Sequence, residues 1–407
     1  MNPMVKYARL LVRVGINLQK GQILVISSPI ECAEFARLAQ VEAYDAGAGE
    51  VVLRWIDEKA DRITLDLAPD ASLDRFPEWS KVLLNGYAEA GAAFLRIDAS
   101  DPELMKDVDP KRMSRQSKAR NIALEPYRTL LMSDRNAWCV ASAPTAAWAM
   151  KVFPGKPERE AMAALWDAIY RAVRVDEADP LKAWQEHQAA LDARLDFLKR
   201  NAFSSLHYGN GLGTDLTVAL PENHVWSGGG SACPSGYSFM ANMPTEEVYT
   251  MPHRNGANGK LVASMPLNYN GNLIRDFWLV FKDGTVVDYG AGSGVDTLKE
   301  ILDTDEGARR LGEVALVPHD SPISNTGILF YNTLFDENAS CHFALGKAYP
   351  TCLEGGAEMD KEALAAAGAN DSLVHVDFMV GSPDLSIIGI RSDGSEAAVF
   401  REGNFVL

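Results

Sequence analysis

The beginning of the chain alternates short apolar segments with segments of helical periodicity, and that alternation restricts the possible folds more than any other feature. QILVIS (22–27), EVVLRWI (50–56), AAFLRID (92–98) and AWCVASA (137–143) read as buried strands. Strands of this kind joined by helices form a parallel sheet covered by helices. The first helix after a strand is marked by Ser28 as cap, Pro29 at the first helical position, Glu31 completing a capping box and Gly47 as its stop; Asp109-Pro110 opens a later one. The turn SSPIECAEF lacks the glycines of a dinucleotide phosphate loop, so the sheet gives no warrant for a nucleotide cofactor.

Residues 157–200 read as two helices broken at DEADP, where Asp179 caps and Pro180 starts the second. From 202 onward the texture becomes β: apolar and polar residues alternate around turns such as KDG and SDG. The glycine clusters YGNGLGTD and WSGGGSA do not sit between a strand and a helix, and turn chemistry explains them. The expected organisation is an α/β N-terminal domain with a parallel sheet (1–156), a helical connector (157–200) and a β-rich α+β domain (201–407).

With 407 residues, 47% of them hydrophobic, the chain can fill more than one core. No apolar run approaches the roughly 20 residues of a membrane span, and MNPMVKYARL lacks the h-region of a secretory signal, so a cytoplasmic protein is expected. Cys32, Cys139, Cys233, Cys341 and Cys352 form no CxxC pair and suit reduced, buried thiols. A formal charge of −16 argues against nucleic acid as a partner and favours cationic substrates, such as a protonated α-amino group.

Five metal-capable side chains cluster late in the sequence: Glu247, Glu313, His342, His375 and Asp377. Neutral imidazoles with carboxylates fit a divalent-metal hydrolase site. Three carboxylates carry −3 and two divalent ions +4, so the set approaches neutrality once a hydroxide joins it; five ligands for two ions require that at least one carboxylate be shared. In LVHVDFMVG, His375 and Asp377 share one face of a strand. Glu313 lies inside the apolar strand LGEVALV, where an unpaired carboxylate is costly to bury; a metal or an Arg or Lys partner would remedy this. Adjacent Glu246 and Glu247 must face opposite sides of a strand.

These residues sit in motifs that resemble a known family. NMPTEEVYTMPHR (242–254), LGEVALVPHDSPIS (311–324), LFDENASCHFALGKAYP (334–350) and HVDFMVGSPDL (375–385) look like the ordered motifs of the aminopeptidase T-like metalloaminopeptidases, whose members include aminopeptidase S; KYARLLVRVGINLQKGQ, DPELMKDVDPKRM and APTAAWAMKVFPG match as well. The resemblance implies a cocatalytic two-metal exopeptidase acting on peptides with a free N-terminus, a homodimer, and a β-rich catalytic domain. It places the ligands on Glu247, Glu313, His342, His375 and Asp377 and the active-site tyrosine on Tyr349. Zinc or cobalt are the first expectations for the metal, magnesium or manganese the alternatives. Glu246, His253 and His319 stay outside the set as exposed or supporting candidates. Another dinuclear-metal peptidase or amidohydrolase, and a non-catalytic small-molecule-binding α/β protein, are the competing readings.

Overall fold

The computed structural model describes residues 2–269 and 271–407, which fall into two compact units. The first comprises the residues up to Gln185 together with Gly230–Pro244; the second comprises Glu186–Gly229 and Thr245–Leu407. The chain passes from one to the other inside a single helix, Pro180–Asn201, where Asp179 Oδ1 accepts from Lys182 N at 3.2 Å.

In the first unit the strands β1 (Ile23–Pro29), β2 (Glu50–Ile56), β3 (Ala93–Asp98) and β4 (Trp138–Ser142) form the expected parallel sheet. A fifth parallel strand, Asn242–Met243, joins at β4, giving the spatial order Asn242–Met243, β4, β3, β1, β2. This late contribution is two residues long, too short to carry a period that a sequence reading can detect. The helix after β1 also starts later than expected. Ser28 remains in β1 opposite Trp55, its hydroxyl donates to the Pro29 carbonyl at 3.0 Å instead of capping, and a single 3-10 turn, Ile30–Cys32, precedes the helix Ala33–Asp45. A residue before proline is biased toward extended backbone, which keeps Ser28 in the strand. Gly47 ends that helix as expected, in the left-handed region at φ 98°.

The second unit is a sandwich of two antiparallel sheets. The larger has eight strands: Thr285–Gly290, Trp278–Lys282, Ala257–Val262, Asp215–Ala219, Phe203–Gly209, Ser386–Arg391, Glu396–Arg401 and Asn404–Phe405, in spatial order. The smaller runs His375–Met379, His342–Gly346, Leu311–Leu316, Val248–Thr250, Ser227–Gly228. Val248, Val314, Leu316, Phe343, Leu345, Val376 and Phe378 of the smaller sheet share one buried core with Leu206, Tyr208, Leu216, Val218 and Ile387 of the larger. Tyr208 and Phe343 rings lie 5.0 Å apart and Phe277 and Phe378 rings 5.5 Å apart. Since strand residues alternate between faces, the partners of these apolar residues must point away from the core. All five cysteines are buried and unpaired.

Phe343 has no solvent exposure and fills the space between the sheets. Phe343→Ala is expected to lower the unfolding free energy by about 3–5 kcal/mol, measured by chemical denaturation; a loss below about 1 kcal/mol would mean that the sandwich core is not closed around this ring.

Candidate metal centre

The face of the smaller sheet turned away from the core gathers the candidate ligands. His342 and Ala344 alternate with Phe343 and Leu345, and His375 and Asp377 alternate with Val376 and Phe378. Cross-strand register sets Ala344 between its neighbours, opposite Glu313 on one side and Asp377 on the other, so a small side chain separates the two acids. A register shift between Leu311 and Glu313 breaks the strict alternation, so Leu311 joins the core while Glu313 reaches the opposite face. Bulges of this kind re-aim side chains beside functional sites. Gly346, at φ 103°, stands opposite His375, where a Cβ would strike the Val374 carbonyl. Glu247 immediately precedes the strand Val248–Thr250; Val248 enters the core, and Glu247 turns the other way.

The result is two triads that share Glu313. One holds Glu247, Glu313 and His342, the other Glu313, His375 and Asp377, each with ligand atoms within 4.8 Å of one another. His342 Nε2 lies 3.2 Å from Glu247 Oε2 and 3.6 Å from Glu313 Oε1. His375 Nε2 lies 3.2 Å from Asp377 Oδ1 and 3.4 Å from Glu313 Oε2. Each imidazole is fixed from behind by a backbone carbonyl: His342 Nδ1 is 3.1 Å from Ser340 O, and His375 Nδ1 is 2.7 Å from Lys347 O. A carbonyl can only accept, so Nδ1 carries the proton and both Nε2 atoms point into the cluster, the arrangement that orients histidine ligands.

The electrostatics call for a cation. Burial alone would raise the Glu313 carboxyl, but the two imidazoles outweigh it and hold it at about 2. Burial alone would lower His342 and His375, yet their carboxylate partners drive His342 well above its ordinary value and His375 up to about 11. Glu247 is raised, chiefly by burial, against the pull of His342. Without a metal, protons on the imidazoles supply the compensating positive charge. With oriented Nε2 atoms, a shared carboxylate and an excess of acid, the donor set fits divalent ions.

One acid that feels the charges of the cluster was not among the candidates read from the sequence. Glu337, half-buried in the turn Glu337–Ala339, has its carboxyl pushed well above the usual range by burial and by the charges of Asp377 and Glu247. Its only sequence signal was its place in the same motif as His342. Tyr349 stands against the centre, its ring 4.8 Å from that of His375 and 6.1 Å from that of Tyr249. Of the residues set aside, Glu246 points to the opposite side from Glu247, with Oε2 3.7 Å from His187 Nε2. His253 accepts from Asn255 N at 3.1 Å, and His319 stands 3.5 Å from Ser324 Oγ; neither belongs to a triad. Asn338, fully buried, supports the ligand segment: its Oδ1 accepts from Glu246 N at 2.8 Å while its Nδ2 donates to Leu334 O at 2.9 Å.

The profile of the thermophilic metalloprotease family (M29) matches residues 2–405. Aminopeptidase 2 of Geobacillus stearothermophilus is 50% identical over 400 residues, 98% of this chain and 97% of the relative. Aminopeptidase AmpS of Bacillus subtilis (strain 168) is 47% identical over 399 residues, with coverage of 98% and 97%. The solved structure of wild-type AmpT from Thermus thermophilus superposes with a TM-score of 0.94 at 40% identity, covering 100% of this chain and 99% of that one. A 2,5-dihydroxypyridine dioxygenase from Pseudomonas putida KT2440 shares the fold at a TM-score of 0.50 and 12% identity. The fold thus occurs with unrelated chemistry, and the site must carry the functional argument. The chain belongs to the M29 thermophilic metalloprotease family. It is accordingly a peptide-bond hydrolase that depends on metal.

Asn338→Ala leaves the buried Glu246 N–H without its acceptor. It should cost about 1–3 kcal/mol of stability, read by thermal or denaturant unfolding; an unchanged midpoint would show that this contact does not hold the Glu247 segment.

Proposed function

We propose that this chain is a metalloaminopeptidase that releases N-terminal amino acids from peptides, with two divalent ions held by Glu247, Glu313, His342, His375 and Asp377 and with Glu313 common to both. The observation that carries this reading is that the two oxygens of Glu313 face separate histidine–carboxylate pairs, Oε1 toward His342 and Oε2 toward His375. When bound, such ions polarise a carbonyl and lower the pKa of water toward neutrality. Imidazole together with carboxylate favours zinc or cobalt, and the acid excess also accepts manganese or magnesium.

Tyr349 supplies a hydrogen bond. Burial, with the charges of Glu313 and Asp377, raises its phenol above the ordinary value and keeps it protonated. A protonated phenol beside His375 can donate to the oxyanion that develops as the scissile carbonyl is attacked. The acidic cluster meets the ammonium of the substrate's first residue, which fixes the first peptide bond at the reacting groups. Reduced, buried cysteines support a cytoplasmic setting. A homodimer is the proposed assembly, carried by the family resemblance.

Elemental analysis after loading with zinc or cobalt should find about two ions per chain, and chelation should abolish peptide hydrolysis. His342→Ala and Glu313→Gln are each expected to lose metal and activity together. Tyr349→Phe should retain the metal and lose about 10²–10³ in turnover. Normal turnover in that variant would remove the phenol from the reaction, and full activity in a metal-free preparation would refute the metal-centred reading.

A peptide and its N-acetylated twin, incubated with the metal-loaded protein and followed by mass spectrometry, should behave differently. The free peptide is shortened one residue at a time, whereas the acetylated one stays intact because it has lost the anchoring charge. Equal cleavage of both, or interior cuts, would favour the general dinuclear hydrolase over the aminopeptidase.

A further inference from the structure

The first unit contains a second charged site with no part in the reaction proposed above. In its parallel sheet, β1 is followed by β2 on one side, and the chain then crosses to β3 on the other. Connections diverge at the β1/β3 junction, and in open α/β sheets ligands bind beyond the carboxyl ends of the strands at such a point. Register and alternation together determine what the sheet presents there. Val25 is flanked by Val52 and Phe94, and one step further toward the carboxyl ends Ser27 is flanked by Arg54 and Arg96 on the same face. The inner row is covered: Val25 and Phe94 pack in a core with Val52, Leu84 and Tyr127, and the Phe94 and Tyr127 rings lie 5.0 Å apart edge-to-face. The outer row is basic.

The adjacent helices add to this charge. Asn85 locks the helix pair Pro110–Ala123 and Glu125–Met132 by donating to Ala123 O at 3.1 Å and accepting from Tyr127 N at 3.3 Å. Arg120 lies on the first of these helices, and its charge acts on Arg54. Burial and then the charge of Arg120 lower the Arg54 guanidinium, and burial and then the charge of Arg96 lower that of Arg120. Two acids lie near these groups. Asp98 Oδ1 is 3.4 Å from Arg96 and also accepts from Ser100 at 3.4 Å. Asp61 raises both Arg54 and Arg120, but more weakly than burial and a neighbouring arginine lower them: Arg120 in the case of Arg54, Arg96 in the case of Arg120. Among the described residues, Arg54 Nε is buried with no hydrogen-bond partner. A buried guanidinium N–H left unmade, facing further guanidinium groups in a chain of net charge −16, is costly unless an acceptor occupies the space.

We propose that Arg54, Arg96 and Arg120, with Ser27 and Tyr127 beside them, form a binding site for a phosphate group at the carboxyl edge of the parallel sheet. A carboxylate has two oxygens and is satisfied by one guanidinium fork, whereas a phosphate offers enough acceptors to bridge several. Guanidinium groups replace the glycine-loop amides that the β1 turn lacks. Free phosphate and a phosphomonoester present the same group.

The test is calorimetric titration of the metal-loaded full chain with inorganic phosphate and, separately, with glycerol 3-phosphate, at constant ionic strength and with acetate as control. Saturable binding of at least one phosphate probe is expected, at least tenfold tighter than acetate. The tighter of the two identifies the ligand as the free ion or the ester, and either supports the assignment. Arg54→Gln and Arg120→Gln should weaken that binding at least tenfold. Arg96→Gln, like Arg120→Gln at an exposed side chain, should weaken it while peptide hydrolysis stays unchanged, which keeps the test open if the Arg54 variant fails to fold. Absence of saturable binding, acetate binding as tight as phosphate, or phosphate binding equally strong in every folded arginine variant would overturn the site.

Discussion

Glu313 is the constraint on which the second unit is organised. A carboxylate buried inside an apolar strand is expensive, and here two imidazoles hold it well below its ordinary range with Glu247 and Asp377 close by. The two imidazoles that make this tolerable are themselves kept in place by carbonyl groups at their far nitrogens. Protons on the imidazoles or cations between them must provide the positive charge. A proton on Nε2 and a metal at Nε2 compete for the same lone pair, so metal affinity in this centre is linked to pH.

The scaffold makes the cluster possible by dividing one sheet between two tasks. Val314, Phe343, Val376 and Phe378 anchor it in the sandwich core, and their strand neighbours are thereby aimed at a common surface. Small residues matter as much as the candidate ligands. Ala344 separates Glu313 from Asp377, and Ala315 stands opposite His342 and Tyr249, so the long polar side chains converge over alanines. Asn338 ties the turn that carries Glu337 to the backbone beside Glu247, coupling the positions of two acids that come from distant parts of the chain.

What was legible in the sequence followed from local periodicity. The β-α-β alternation foretold β1 to β4, and the HVD alternation foretold that His375 and Asp377 share a face. Glu246 and Glu247 do point to opposite sides, but both stand just before the strand Val248–Thr250, and which one points to the cluster depends on Val248 entering the core, a tertiary fact. Glu337 was illegible because it lies in a turn, where no period assigns a side chain to a face. Ser28 carried a cap signature that strand pairing overrode. The basic row of Ser27, Arg54 and Arg96 needs inter-strand register, which three separate segments cannot reveal individually.

The central claim is that Glu313 stands between two ions, and anomalous diffraction from crystals of the metal-loaded protein, recorded at the absorption edge of zinc or cobalt, tests it most directly. The account predicts two peaks about 3.5–4 Å apart, one beside His342 and Glu247, the other beside His375 and Asp377, with one oxygen of Glu313 on each. A single peak, or peaks that leave Glu313 uncoordinated, would contradict it.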